Sequence, residues 1–133
     1  MSGGFTPNLV ETTDPLSGQI NILASQHGLM VKRGGVTLDH TKWAADANGN
    51  KLALNGHLIS KITATEKYGP YDPTKSNGQE DPDEILIIFN GGVNLKNGDV
   101  ITGALLGGSV LEARLSGLDA AARTALKTRI IFQ

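Results

Sequence analysis

Five Asn-Gly dipeptides, at Asn48, Asn55, Asn77, Asn90 and Asn97, punctuate the middle of this 133-residue chain. Both residue types tolerate positive φ, which the tight turns between antiparallel strands demand. So many turn signals in so short a stretch leave room for strands of only a few residues. They predict a small β-rich body. The intervening segments fit. Lys51–Leu54 and His57–Ala64 flank Asn55-Gly56 and read as a hairpin with Leu58, Ile62 and Ala64 on one face and Ser60 as the exception. Ile85–Phe89 is a continuous apolar run and reads as a central strand, with further strands at 100–106 and 109–115.

One segment breaks the pattern. Leu118, Ala121, Ala122, Ala125 and Leu126 recur at helical spacing, preceded by Ser116-Gly-Leu-Asp119, which reads as a capping-box variant with the serine hydroxyl as cap. Asp119 and Arg123 stand four apart, acid first, as a helix dipole favours. Ile130–Phe132 is a terminal apolar strand. Tyr68–Glu84, with three prolines and many charges, reads as a long exposed loop. The fold class is therefore mostly β with one short C-terminal helix, a small α+β body over residues 36–133.

The first 35 residues differ from the rest. Only Glu11 and Asp14 are charged before Lys32, and Gly, Ser, Thr, Asn and Pro are frequent. This composition predicts a flexible arm, residues 1–35, with Gly34-Gly35 as its joint. Phe5, Leu9, Val10, Ile20 and Ile22 supply apolar anchor points along it, and Thr6, Pro7 and Asn8 bridge the first of them. A neutral arm on a compact body suits lying along another protein.

Composition excludes several classes. A net charge of −1 with basic residues scattered along the chain gives no electrostatic footprint for nucleic acid. No apolar run reaches the roughly 20 residues that span a bilayer, and no basic-then-apolar leader opens the chain. With no cysteine, there is neither a disulfide framework nor thiolate chemistry. No metal or cofactor site is expected. His27, His40 and His57 lack ligand spacing, and Asp39-His40 near Asp46 is too sparse. Asp46-Ala-Asn-Gly-Asn50 resembles the opening of a calcium loop, but Lys51 and His57 stand where a glycine and a bidentate carboxylate belong. Glu80, Asp81, Asp83 and Glu84 read as solvating charges. No phosphate loop or nucleophile elbow is present, so the chain is expected not to be an enzyme.

Taken in order, His57–Thr63, Tyr68–Asp72, Ile85–Ile88, Asn97–Gly103, Val110–Leu115 and Asp119–Leu126 resemble the head decoration proteins of tailed bacteriophages, the group typified by phage lambda head protein D. The 73–84 insert departs from that pattern. The resemblance implies a β-tulip type fold. It implies a homotrimer on the outer surface of the expanded capsid, at three-fold and quasi-three-fold positions, made in the host cytoplasm. The partners are then the major capsid protein and the chain itself, with no nucleic acid and no membrane. It also implies an arm that orders on the shell. Trimer-interface candidates are Trp43, the Ile85–Phe89 strand with Ile85, Ile87 and Phe89, and the 100–111 strands. The alternative is a trimeric tail- or fibre-associated module that binds a host surface through Tyr68, Tyr71 and the 73–84 loop.

Overall fold

The computed structural model describes residues 22–89 and 92–133. The arm candidates Phe5, Thr6, Pro7, Asn8, Leu9, Val10 and Ile20 lie outside these residues, as does the Asn90-Gly91 turn. The protein is mostly β. Strands β1 (Leu23–Val31), β2 (Val36–Leu38), β4 (Leu58–Lys61), β5 (Tyr68–Pro70), β6 (Leu86–Ile88), β8 (Val100–Thr102), β9 (Ala104–Val110) and β10 (Ile130–Phe132) form an eight-stranded sheet. Its order is β1-β9-β6-β4-β5-β2-β8, with β10 added parallel to β9. Strands β3 (Leu52–Ala53) and β7 (Val93–Asn94) form a separate pair. The one α-helix among the described residues, α1, spans Ala120–Leu126.

Only Gly103 separates β8 from β9, so the last strand of the path is tied by the chain to the second, and the sheet curls back toward its start. A side chain at Gly103 would place its Cβ 2.7 Å from the Phe89 carbonyl oxygen, which explains glycine at this corner.

The central strands are buried on both faces, as continuous apolar runs predict. Successive residues point to opposite sides, so the sheet serves two cores. Leu58, Ile87 and Leu105 pack with Tyr71, Val110, Ala122, Leu126 and Ile130 beneath the helix. Ile59, Leu86, Ile88 and Ala104 pack on the other side with Leu38, Trp43, Tyr68 and Leu95. Each such large side chain contributes about 1.5–3 kcal/mol through burial.

The helix has seven residues, too few to stand alone. Ala122 and Leu126 are its buried stripe. Its cap is the Asp119 carboxylate, which accepts from the Ala122 N–H at 2.8 Å, where the sequence pointed to the Ser116 hydroxyl. The backbone of Ser116 is taken up elsewhere: its N–H donates to the Gly56 carbonyl and its own carbonyl accepts from the Leu58 N–H. Arg123 pairs with the Glu112 carboxylate and lies 4.9 Å over the Phe132 ring, rather than bonding Asp119.

Three further expectations are corrected. The arm does not extend to residue 35. Ile22 is 1% exposed in the core beneath the helix, and β1 pairs with β9, so residues 22–35 belong to the body. Their apolar content, which read as anchor points for a partner, is partly spent on this chain's own sheet. The 51–54 and 57–64 segments turn at Asn55-Gly56 but do not pair with each other: β3 pairs with β7, and β4 lies between β5 and β6. The 109–115 strand ends at Val110, and Glu112–Arg114 is a single 3-10 turn.

Candidate interaction surface

Among the described residues β1 is an edge strand, with β9 as its one sheet partner. The chain enters it from Ile22, whose side chain is in the core and whose carbonyl accepts from the Leu111 N–H at 2.7 Å. Ile22 is therefore fixed beside the end of β9. The far end of β1 exposes Met30 and Val31, at 51% and 50%, followed by exposed Lys32 and Arg33. Register shifts interrupt the β1–β9 ladder at three places, and Gly28 adopts φ 74°. Bulges and terminal charge are how exposed edges avoid indiscriminate pairing. β8, at the other end of the path, exposes Ile101 at 66%, and β10 exposes Ile131 at 61%. Large exposed apolar side chains on strand edges are the kind that association covers.

Of the interface candidates from sequence, the 100–111 strands reach this surface at Ile101, whereas Trp43, Ile85, Ile87 and Phe89 do not. Ile85 and Ile87 are fully buried, Trp43 is buried against the His57 ring at 5.0 Å between centroids, and Phe89 is half-buried at the margin of the core beneath the helix. An apolar run marks burial but does not say whether its own chain or another covers it. Tyr68 and Tyr71, the host-surface residues of the alternative reading, are buried too. Tyr68 packs in the core, and Tyr71 donates its hydroxyl to the Asp119 carboxylate at 3.1 Å.

The 73–84 loop is not free. Gln79 is 2% exposed and its amide donates to the Pro70 carbonyl at 2.9 Å. Buried Ser60, the polar exception in β4, has its hydroxyl 3.0 Å and 2.9 Å from the carbonyls of Gly78 and Asp81. Ser60 thus anchors the loop, a role no periodicity reveals. Asp83 and Glu84 remain exposed, as expected of solvating charges.

Asp39, His40 and Asp99 bring their ligand atoms within 4.8 Å of one another, where the sequence had offered Asp46 as the third group. Asp46 instead accepts from the N–H groups of Asn48 and Asn50 in its own turn. The three-residue cluster is charge-paired already. Asp99 accepts from the His40 N–H at 2.9 Å and lies 2.6 Å from both its Nδ1 and the Lys67 Nζ. The Lys67 hydrogen bond, then those from His40, hold the Asp99 carboxyl far below the usual carboxylate range. Burial works to raise Asp39, but the hydroxyl and N–H of Thr41 overcome it and lower it. A cation here would have to displace the Lys67 ammonium, so the arrangement acts as a tie between the β2 end, the start of β5 and the 95–99 turn.

An open cleft of about 280 Å³ is lined by Lys32, Lys61 and Arg129 against Asp83 and Glu84, with Tyr68 at its side. Arg129 donates to the carbonyls of Leu106 and Ile85, and burial lowers its pKa. Mixed charge and an open mouth give it no preference for an ion of either sign. No family model, curated protein or solved structure matches this chain.

Proposed function

We propose that this chain is a capsid decoration protein, a trimer bound to the exterior of an expanded phage head at three-fold and quasi-three-fold sites, non-enzymatic and made in the host cytoplasm. The observation that carries this reading is the pairing of an edge strand with the segment that feeds it. Residues 1–21 lead into β1, an edge strand among the described residues, whose far end exposes Met30 and Val31. The segments that resemble the decoration family support it as well, since they fall on β4, β5, β6, β8, the 3-10 turn that follows β9, and α1.

In this reading the segment before β1 adds an extended strand to an edge of the major capsid protein, with main-chain hydrogen bonds setting register and Phe5, Leu9, Val10 and Ile20 filling shallow pockets. Each such burial contributes about 1.5–3 kcal/mol, while ordering each residue costs about 1–2 kcal/mol of backbone entropy. One segment therefore binds weakly. Three on a single trimer raise the effective concentration of the second and third contacts, and the assembly becomes a clamp. Selective binding of the expanded shell then shifts the head toward that form. Met30, Val31, Ile101 and Ile131 are the exposed side chains from which subunit association draws.

The test is cryo-electron microscopy of expanded, undecorated shells mixed with the full chain or with a chain lacking residues 1–20. The full chain should appear at the three-fold positions, and the truncated chain should stay in solution while remaining folded. Equal decoration by both would refute the clamp, and no decoration by either would refute the capsid reading.

A further inference from the structure

The Asn-Gly pairs that shape the fold are also a chemical liability, and the structure protects them unequally. In such a pair the glycine main-chain nitrogen can attack the asparagine side-chain carbonyl carbon. A C–N bond forms, the side-chain amide bond breaks, ammonia leaves and a five-membered succinimide remains. Water then opens the ring to aspartate or isoaspartate. The glycine nitrogen must first lose its proton to base, and the backbone must turn to bring it onto the carbonyl carbon. A held, buried N–H prevents both.

Four pairs lie among the described residues. Gly56 is buried and its N–H donates to the Ile88 carbonyl at 2.8 Å. Gly78 is buried, its N–H donates to the Glu80 carboxylate at 2.9 Å, and Gln79 holds both ends of the Asn77 amide. Asn48 is exposed, but its turn is braced by the Asp46 carboxylate, and the Gly49 N–H donates to the Asp46 carbonyl at 3.0 Å. Asn97 is exposed and its side chain has no hydrogen-bond partner among the described residues. The Gly98 N–H reaches the Leu95 carbonyl at 3.2 Å, the longest such bond of the four, and nothing lies within 4 Å of where a Gly98 Cβ would stand. Long, weak bonds at exposed turn tips open most readily.

We propose that Asn97-Gly98 is a site of spontaneous succinimide-mediated deamidation, and that its conversion acts on the neighbouring Asp99 tie. Isoaspartate carries one extra main-chain atom, inserted two residues before Asp99. The carboxylate that bridges His40 and Lys67 is then displaced from contacts that are all under 3 Å. The proposal is independent of the capsid reading.

The native full chain, incubated in mildly alkaline buffer, is mapped by mass spectrometry with enzymatic isoaspartate labelling, alongside the same chain in denaturant. In the native protein Asn97 should convert first, Asn48 next, and Asn55 and Asn77 on the order of tenfold more slowly than Asn97. In denaturant the four should convert alike. Native rates at Asn55 or Asn77 that keep pace with Asn97 would overturn the assignment. The link to Asp99 is read by acid unfolding of aged protein: wild type should lose acid resistance on ageing and Asn97→Gln should not. Equal loss in both would show that conversion elsewhere is responsible.

Discussion

Asp99 and His57 give the molecule its acid sensitivity, through opposite kinds of neighbour. Burial lowers the His57 pKa below its ordinary 6.5, because the ring packs against Trp43 and its charged form is poorly solvated. The folded state thus binds a proton less readily than the unfolded one. His57 holds stability in full above pH 6.5 and loses it as pH falls below that value. Asp99 is also depressed, by Lys67 and His40, so its contribution is complete above its ordinary 3.8 and erodes only at more acid pH. Acid unfolding should therefore show an early loss that His57→Gln flattens and a late one that Asp99→Asn flattens. A denaturation midpoint measured against pH checks both, and an unchanged profile in His57→Gln would place the early loss elsewhere. On the alkaline side, burial and the hydrogen bond to Asp119 push Tyr71 up from 10.0 to about 12. Its neutral form supports the fold below pH 10 and the support is lost as pH rises through the folded value, which tyrosinate absorbance should follow.

Among the elements, the short helix shows how little local propensity decides. Seven residues carry a buried Ala122 and Leu126, a carboxylate cap and the Tyr71 hydroxyl on that cap. Asp119→Ala should cost about 0.5–2 kcal/mol in chemical denaturation, and Leu126→Ala about 2–5 kcal/mol, because the core beneath the helix cannot fully collapse. The Asn55-Gly56 turn is the stricter site. Gly56 holds φ 91°, and a Cβ there would stand 2.4 Å from the Arg114 carbonyl oxygen. Gly56→Ala should therefore cost at least the roughly 1–3 kcal/mol of left-handed backbone strain and shift the β4 register against β6, visible as lost amide protection at Ile87 and Ile88. A variant as stable as the parent would mean that this turn relaxes freely.

At the scale of the whole molecule, the curled sheet assigns most large apolar side chains of the described residues to one of two internal cores and leaves Met30, Val31, Leu54, Ile101 and Ile131 exposed. If these cover one another between subunits, the protein should sediment as a trimer. Replacing Ile101 and Ile131 by lysine should then yield a folded monomer. A monomeric parent would remove the trimer from the proposed function, and an intact trimer in the double variant would move the interface elsewhere. Ile22 stands near Gln133 at the end of β9, since the Leu111 N–H donates to the Ile22 carbonyl and the Gln133 N–H to the Val110 carbonyl.

Local patterns in the chain were enough to establish its β-rich class, the terminal helix, the buried Ile85–Phe89 run and the turn positions. Each follows from neighbours in sequence: positive φ at glycine, the spacing of apolar residues, a carboxylate or hydroxyl before a helix. Pairing and coverage required the tertiary structure. Leu52 could not announce Asn94 as its partner, nor could Ile22 announce the core beneath α1, because both contacts join distant segments. The same limit hid the Asp99 tie and the loop held by Ser60, whose partners stand 59 and 18 residues away. A side chain's chemistry says that it must be covered or paired. Only the folded chain decides by what.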